Sequence, residues 1–120
     1  NLIFKEINKY NISLICLAGY MKIISKKFIN SFKKKIINIH PSLLPKFKGL
    51  NTFERVLKKK EQKTGCTVHY VNHKLDNGKT ILKKNFFIKS SDNVETLKKK
   101  TQELEYKALP EAIIKIFRYN

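Results

Sequence analysis

The run Ile36-Ile37-Asn38-Ile39-His40 followed by Pro41 constrains this chain more than any other stretch. β-Branched residues favour a strand, and proline, with no backbone donor for a sheet ladder, ends one. A second buried strand is read at Ile12 to Leu17, closed by Ala18-Gly19. Between the two, Ser25 is placed to cap a short helix reaching about Phe32, with Phe28 and Ile29 inward. Two strands separated by a helix form the unit of a parallel sheet, and such sheets bind ligands beyond the carboxyl ends of their strands. Residues 18 to 24 and 38 to 45 occupy that position.

The remaining elements extend this order. Leu2, Ile3, Ile7 and Tyr10 follow helical spacing, so residues 2 to 10 read as the end of an amphipathic helix. Pro41 to Gly49 is a loop, and Asn51 or Thr52 caps a helix that runs into Lys58 to Lys60. Alternating residues from Cys66 to His73 and a β-rich run from Thr80 to Ile88 flank Asp76-Asn77-Gly78, a strong hairpin signal. Asp92 and Glu95 resemble a capping box for a long helix with Val94, Leu97, Thr101, Leu104 and Ala108 on one stripe. Pro110 is expected to kink or interrupt it, with a final amphipathic helix beyond.

With 120 residues, 42% of them hydrophobic, the chain suits a single core. The apolar runs are too short to span a bilayer, and no basic stretch leads into an apolar run at the start, so neither a membrane span nor a secretory leader is read. Cys16 and Cys66 each sit in an apolar stretch, which predicts buried reduced thiols and a cytoplasmic location. A formal net charge of +17 suggests an anionic partner at first sight. However, the 26 basic residues are 24 Lys and only 2 Arg, and Lys, Ile and Asn together make 50 of 120 residues. That profile fits an A- and T-rich coding sequence. Base and phosphate readers rely on the arginine fork, so a solvated basic surface is favoured over a nucleic-acid-binding module.

Asn38 and His40 are two apart on a strand and leave the sheet on the same face. An amide donor and an imidazole converging there can stabilise a developing oxyanion while moving a proton. The same spacing is met by an asparagine that satisfies the strand end and a histidine packed at a polar edge, and spacing leaves both readings open. Asp76 opens a turn on one reading; on the other it reaches His40 and raises the imidazole pKa. His69 and His73 would share a face of a regular strand, but no third ligand has matching spacing, so no metal site is assigned. Ser42 lacks a glycine elbow and Cys66 an evident base, which argues against a covalent nucleophile.

The stretch from Asn38 to Gly49, Asn-Ile-His-Pro-Ser-Leu-Leu-Pro-Lys-Phe-Lys-Gly, closely resembles the signature of the folate-dependent formyltransferases. Leu17 to Ser25, Gly65 to Val71, Leu75 to Gly78, and Thr101-Gln102-Glu103 resemble further family stretches, in the family's order and at about its spacing. The resemblance implies a Rossmann-like α/β formyltransferase fold, a mostly parallel sheet with an added hairpin. It also implies one domain over residues 1–120, corresponding to the carboxyl-terminal two thirds of the family's domain. The family's first strand and glycine-rich phosphate-binding loop are expected before Asn1, so this stretch alone is expected to bind nucleotide poorly.

The implied reaction moves a formyl group from 10-formyltetrahydrofolate to the amine of glycinamide ribonucleotide, with no metal and no membrane partner. By this likeness His40 donates a proton, Asn38 steadies the formyl oxygen, and Asp76 keeps His40 protonated. The folate ring would be held by the backbone of Met21, Lys22, Ile23 and Ile24 and by Ile29, Asn38 and Asn72, and Glu103 would touch the ribose. Lys22 stands where the family often has arginine, and Leu50 to Phe53 carry little weight. Formyltetrahydrofolate hydrolase and methionyl-tRNA formyltransferase share parts of the pattern. The tRNA enzyme typically continues Gly-Ala-Ala-Pro where this chain has Gly49-Leu50-Asn51-Thr52.

Overall fold

The computed structural model describes residues 6–7, 9–18, 25–32, 35–73 and 76–118. Their order is β1 (Leu14–Ala18), α1 (Lys26–Ser31), β2 (Lys35–His40), α2 (Thr52–Lys58), β3 (Lys63–Tyr70), β4 (Thr80–Phe87) and α3 (Val94–Arg118). The four strands form one sheet in the order β1-β2-β3-β4. β1 and β2 are parallel, joined through α1, while β2 with β3 and β3 with β4 are antiparallel. The sheet among the described residues is thus mixed, one parallel pair carrying the added hairpin. Glu6 and Ile7 are helical, and most of the helix read at residues 2–10 lies outside the described residues.

Ser25 caps α1 as expected, its Oγ accepting from the Phe28 N–H at 3.1 Å. Phe28 and Ile29 are half-buried and Phe32 is buried. Asn51 precedes α2 in the left-handed conformation, φ 58°, and its side chain makes no capping bond. The cap of α3 falls one residue later than Asp92. Asn93 Oδ1 accepts from the Thr96 N–H at 2.9 Å while the Asn93 N–H donates to Thr96 Oγ1 at 2.8 Å, a reciprocal box without Glu95. Asp92 instead accepts from the Lys89 N–H, Thr96 Oγ1 and Lys100 Nζ.

Contrary to the sequence reading, α3 is one uninterrupted helix of 25 residues that includes Pro110. The carbonyl that Pro110 cannot bond belongs to Tyr106, a residue 77% exposed, where water can take the place of the missing donor. α3 packs on β3 and β4 through Ala108, Ala112 and Ile116, which join Ile37, Ile39, Cys66, Val68 and Ile81 in the core.

β3 is covered on both faces, Thr64 to His69 all being buried. Its second face is covered by the loop after β2: Thr67 Oγ1 donates to the Ser42 carbonyl at 2.7 Å and accepts from the Leu44 N–H at 3.0 Å. β4 alternates from Leu82 to Phe87, after an irregularity in register at Ile81 that turns both Ile81 and Leu82 to the core. Cys16 is exposed, contrary to expectation, whereas Cys66 is fully buried. Cys16 and Ala18 project on a face of β1 that the described elements leave open. Among the described residues, no helix is long and apolar enough to cross a membrane.

Candidate active site

β2 carries Asn38 and His40 at its carboxyl end, and both are buried, at 9% and 4% exposure. The antiparallel register sets His69 of β3 directly opposite Asn38, and Thr67 opposite His40. Residues opposed in this way lie on the same sheet face. A cavity of about 580 Å³ opens at the ends of β1 and β2, with Ala18, Asn38, His40, Phe53, Gln102 and Glu105 among its walls. This is where an α/β sheet is expected to take its ligand.

Asp76 reaches the same place from the β3–β4 connection. Its Oδ2 lies 3.3 Å from His40 Nδ1 and accepts from the Gly49 N–H at 2.9 Å. Asp76 has φ 47° and Gly49 φ 83°, so the turns that present both groups use left-handed backbone. Gly78 packs against the opposite limb of the connection, where an added Cβ would fall 1.5 Å from the Tyr70 carbonyl oxygen. The connection spans residues 71–79, longer than a two-residue Asn-Gly hairpin, and Asn72 Nδ2 bridges it to Asn77 Oδ1 at 3.5 Å.

His40 is held from both sides. Nε2 bonds the Phe47 carbonyl at 2.8 Å and Nδ1 faces Asp76, so each ring nitrogen has an oxygen acceptor. Burial nevertheless lowers the His40 pKa below the ordinary imidazole value; the Phe47 carbonyl and then Asp76 push upward without cancelling it. Asp76 and the Phe47 carbonyl thus act in the direction of a protonated His40, and desolvation opposes them.

His69, which sequence spacing relates only to His73, belongs to this site. Its Nε2 lies 3.4 Å from Asn38 Nδ2 and 3.9 Å from Asp76 Oδ1, and its Nδ1 bonds the Tyr70 carbonyl at 2.9 Å. His73 is exposed beyond the end of β3, so the two histidines share no strand face. Only the register across β2 and β3 could have paired His69 with Asn38.

Met21, Lys22, Ile23 and Ile24 lie outside the described residues. Ile29 is half-buried on α1, and Asn72 brackets the turn that holds Asp76. Glu103 is exposed and is not among the cavity walls. Lys98, Gln102, Glu105, Tyr106, Leu109 and Pro110 of the same helix line the cavity, and burial raises the pKa of Glu105. Ser42 is fully buried and donates to the Lys46 carbonyl at 2.6 Å, a structural role. Burial first, and Glu105 second, push the Cys66 thiol up to about 11, which makes it a poor nucleophile.

An amide and an imidazole at one strand end, with a carboxylate beside the imidazole, define a site suited to polar group transfer. Residues 1–113 match the formyl transferase family, and the chain belongs to that family. It is 45% identical over 106 residues to phosphoribosylglycinamide formyltransferase of Haemophilus influenzae, covering 88% of this chain and 50% of that protein. It is 44% identical over 109 residues to the trifunctional purine biosynthetic protein adenosine-3 of Gallus gallus, covering 91% of this chain and 11% of that protein. Among solved structures, phosphoribosylglycinamide formyltransferase from Bacillus halodurans superposes with a TM-score of 0.92 at 32% identity, over 98% of this chain and 61% of that one. The Coxiella burnetii enzyme gives 0.88 at 42% identity, over 97% and 54%. The chain therefore has the Rossmann-like formyltransferase fold and spans about half the length of the Haemophilus relative.

Proposed function

We propose that this chain supplies the catalytic cleft for transfer of a formyl group from 10-formyltetrahydrofolate to the amine of glycinamide ribonucleotide. The observation that carries this reading is the meeting of Asn38, His40 and Asp76 at one strand end, with Asp76 36 positions after His40 in sequence. Attack of the amine on the formyl carbon puts negative charge on the formyl oxygen, and a fixed donor such as Asn38 Nδ2 is worth most against that developing charge. The attacking nitrogen must lose a proton and the departing folate nitrogen must gain one. His40 is assigned the donation to the departing nitrogen, with Asp76 beside Nδ1 stabilising its cation.

The nucleotide side of the cleft is assigned to Glu103 on the strength of the sequence resemblance, on the same helix as Gln102 and Glu105, which line the cavity at the ends of β1 and β2. An amide and a carboxylate there suit the hydroxyls of a ribose. The folate ring is assigned to the backbone at Met21 to Ile24, with Ile29 and Asn72 beside it, on the strength of the sequence resemblance.

The test is a formyl-transfer assay on the complete gene product. Asn38→Ala and His40→Ala should each lower kcat by about 10²-fold or more while donor binding remains measurable. Turnover within a few-fold of the parent would overturn the assignments. Formate release without transfer, or transfer only to methionyl-tRNA, would overturn the choice of acceptor.

A further inference from the structure

We propose that His69 is a positioning residue that fixes which end of the Asn38 amide faces the cleft. The inference rests on the formyl-transfer reading and concerns how its oxyanion donor is aimed. An amide side chain is nearly symmetric in shape, so packing alone does not distinguish Nδ2 from Oδ1, and only a hydrogen-bond partner can do so. Asn38 has one such partner of defined polarity. Its Nδ2 lies 3.4 Å from His69 Nε2, whereas its Oδ1 is buried without a hydrogen-bond partner.

The polarity of His69 is itself set from the other side. Nδ1 lies 2.9 Å from the Tyr70 carbonyl oxygen, which can only accept, so the proton of a neutral ring resides on Nδ1 and Nε2 is left bare. A bare Nε2 attracts Nδ2 and repels Oδ1. The second Nδ2 proton is then available to a substrate oxygen. With the amide turned over, two acceptors would face each other in a buried site, and Oδ1 would stand where the formyl oxygen develops negative charge. Asp76 Oδ1, at 3.9 Å, is too far to bond Nε2 and does not compete for it. The arrangement follows from the strand register, which sets Asn38 against His69, and His69 is 2% exposed, so its ring has little room to turn.

Two substitutions in the complete gene product test this. His69→Leu removes the acceptor; His69→Gln restores a side-chain oxygen near the Nε2 position. The Leu variant should lose about 100-fold in kcat, with KM for the formyl donor within about threefold of the parent, and the Gln variant should recover to within about tenfold. Ring-nitrogen NMR of the parent should show His69 protonated at Nδ1 and bare at Nε2, with the Nε2 resonance moving in Asn38→Ala. A kcat for His69→Leu within threefold of the parent, a folded Gln variant no better than Leu, or a proton on Nε2 would each overturn the proposal. Should His69→Leu fail to fold, the Gln variant and the NMR measurement decide. Absence of formyl transfer by the parent, or full activity in Asn38→Ala, would refute the formyl-transfer reading itself, and the NMR measurement still tests the His69–Asn38 pair separately.

Discussion

At the scale of single residues, the decisive quantity is the charge state of His40. Burial favours the neutral ring in the folded chain, so folding is helped wherever the ring would otherwise be neutral. The sign follows from linkage: with the folded pKa lowered, this contribution is fully present above the ordinary value of about 6.5 and is lost as pH falls through the lowered one. His40 should therefore titrate below 6.5 by NMR, and Asp76→Asn should move its midpoint further down, because the carboxylate now pushes it upward. An unchanged midpoint in that variant would refute the electrostatic coupling. The Asn38 and His40 pair was legible in the sequence because a two-residue spacing on a strand fixes a common face. The Asp76 contact was only conditional there, since it depends on how residues 71–79 fold back. His69 was invisible because its partner is set by interstrand register. The Glu103 reading rests on the short Thr-Gln-Glu resemblance alone.

At the scale of elements, α3 shows how local rules give way to packing. Pro110 removes one hydrogen bond within a helix whose inner stripe, Leu97, Thr101, Ala108, Ala112 and Ile116, is buried, and that burial carries the helix through. Pro110→Ala restores a donor toward the exposed Tyr106 carbonyl and should raise the stability of the fold by up to about 3 kcal/mol in denaturant unfolding. The start of α3 is anchored differently. Lys100, followed by the Lys89 N–H, holds the Asp92 carboxyl down at about 2. Asp92→Asn should destabilise the chain at neutral pH. Because the folded pKa is lowered, the difference from the parent should shrink as pH falls from about 4 toward 2 in paired unfolding curves. A helix start near residues 92–95 was legible from its polar cluster; the shift of the cap to Asn93 was not, since Asp92 and Asn93 are both good cap formers.

At the scale of the whole molecule, the sheet and the helix covering it form one core, with Ile37 fully buried at its centre. Ile37→Ala should cost about 2–5 kcal/mol of unfolding free energy, measured in denaturant. The surplus of lysine lies outside this core. If it is a solvated surface, binding to an arbitrary DNA duplex should be weak and vanish as salt is raised, with no effect on formyl transfer; tight duplex binding that competes with the folate would contradict that. The loop from Pro41 to Leu50 links these scales, because it grips the imidazole through the carbonyl of Phe47 and the carboxylate through the N–H of Gly49. Both handholds are main-chain atoms. Swapping side chains along that stretch should therefore leave the proton couple intact wherever the left-handed turns survive, whereas lengthening or shortening it by one residue would disengage acid and counter-ion together.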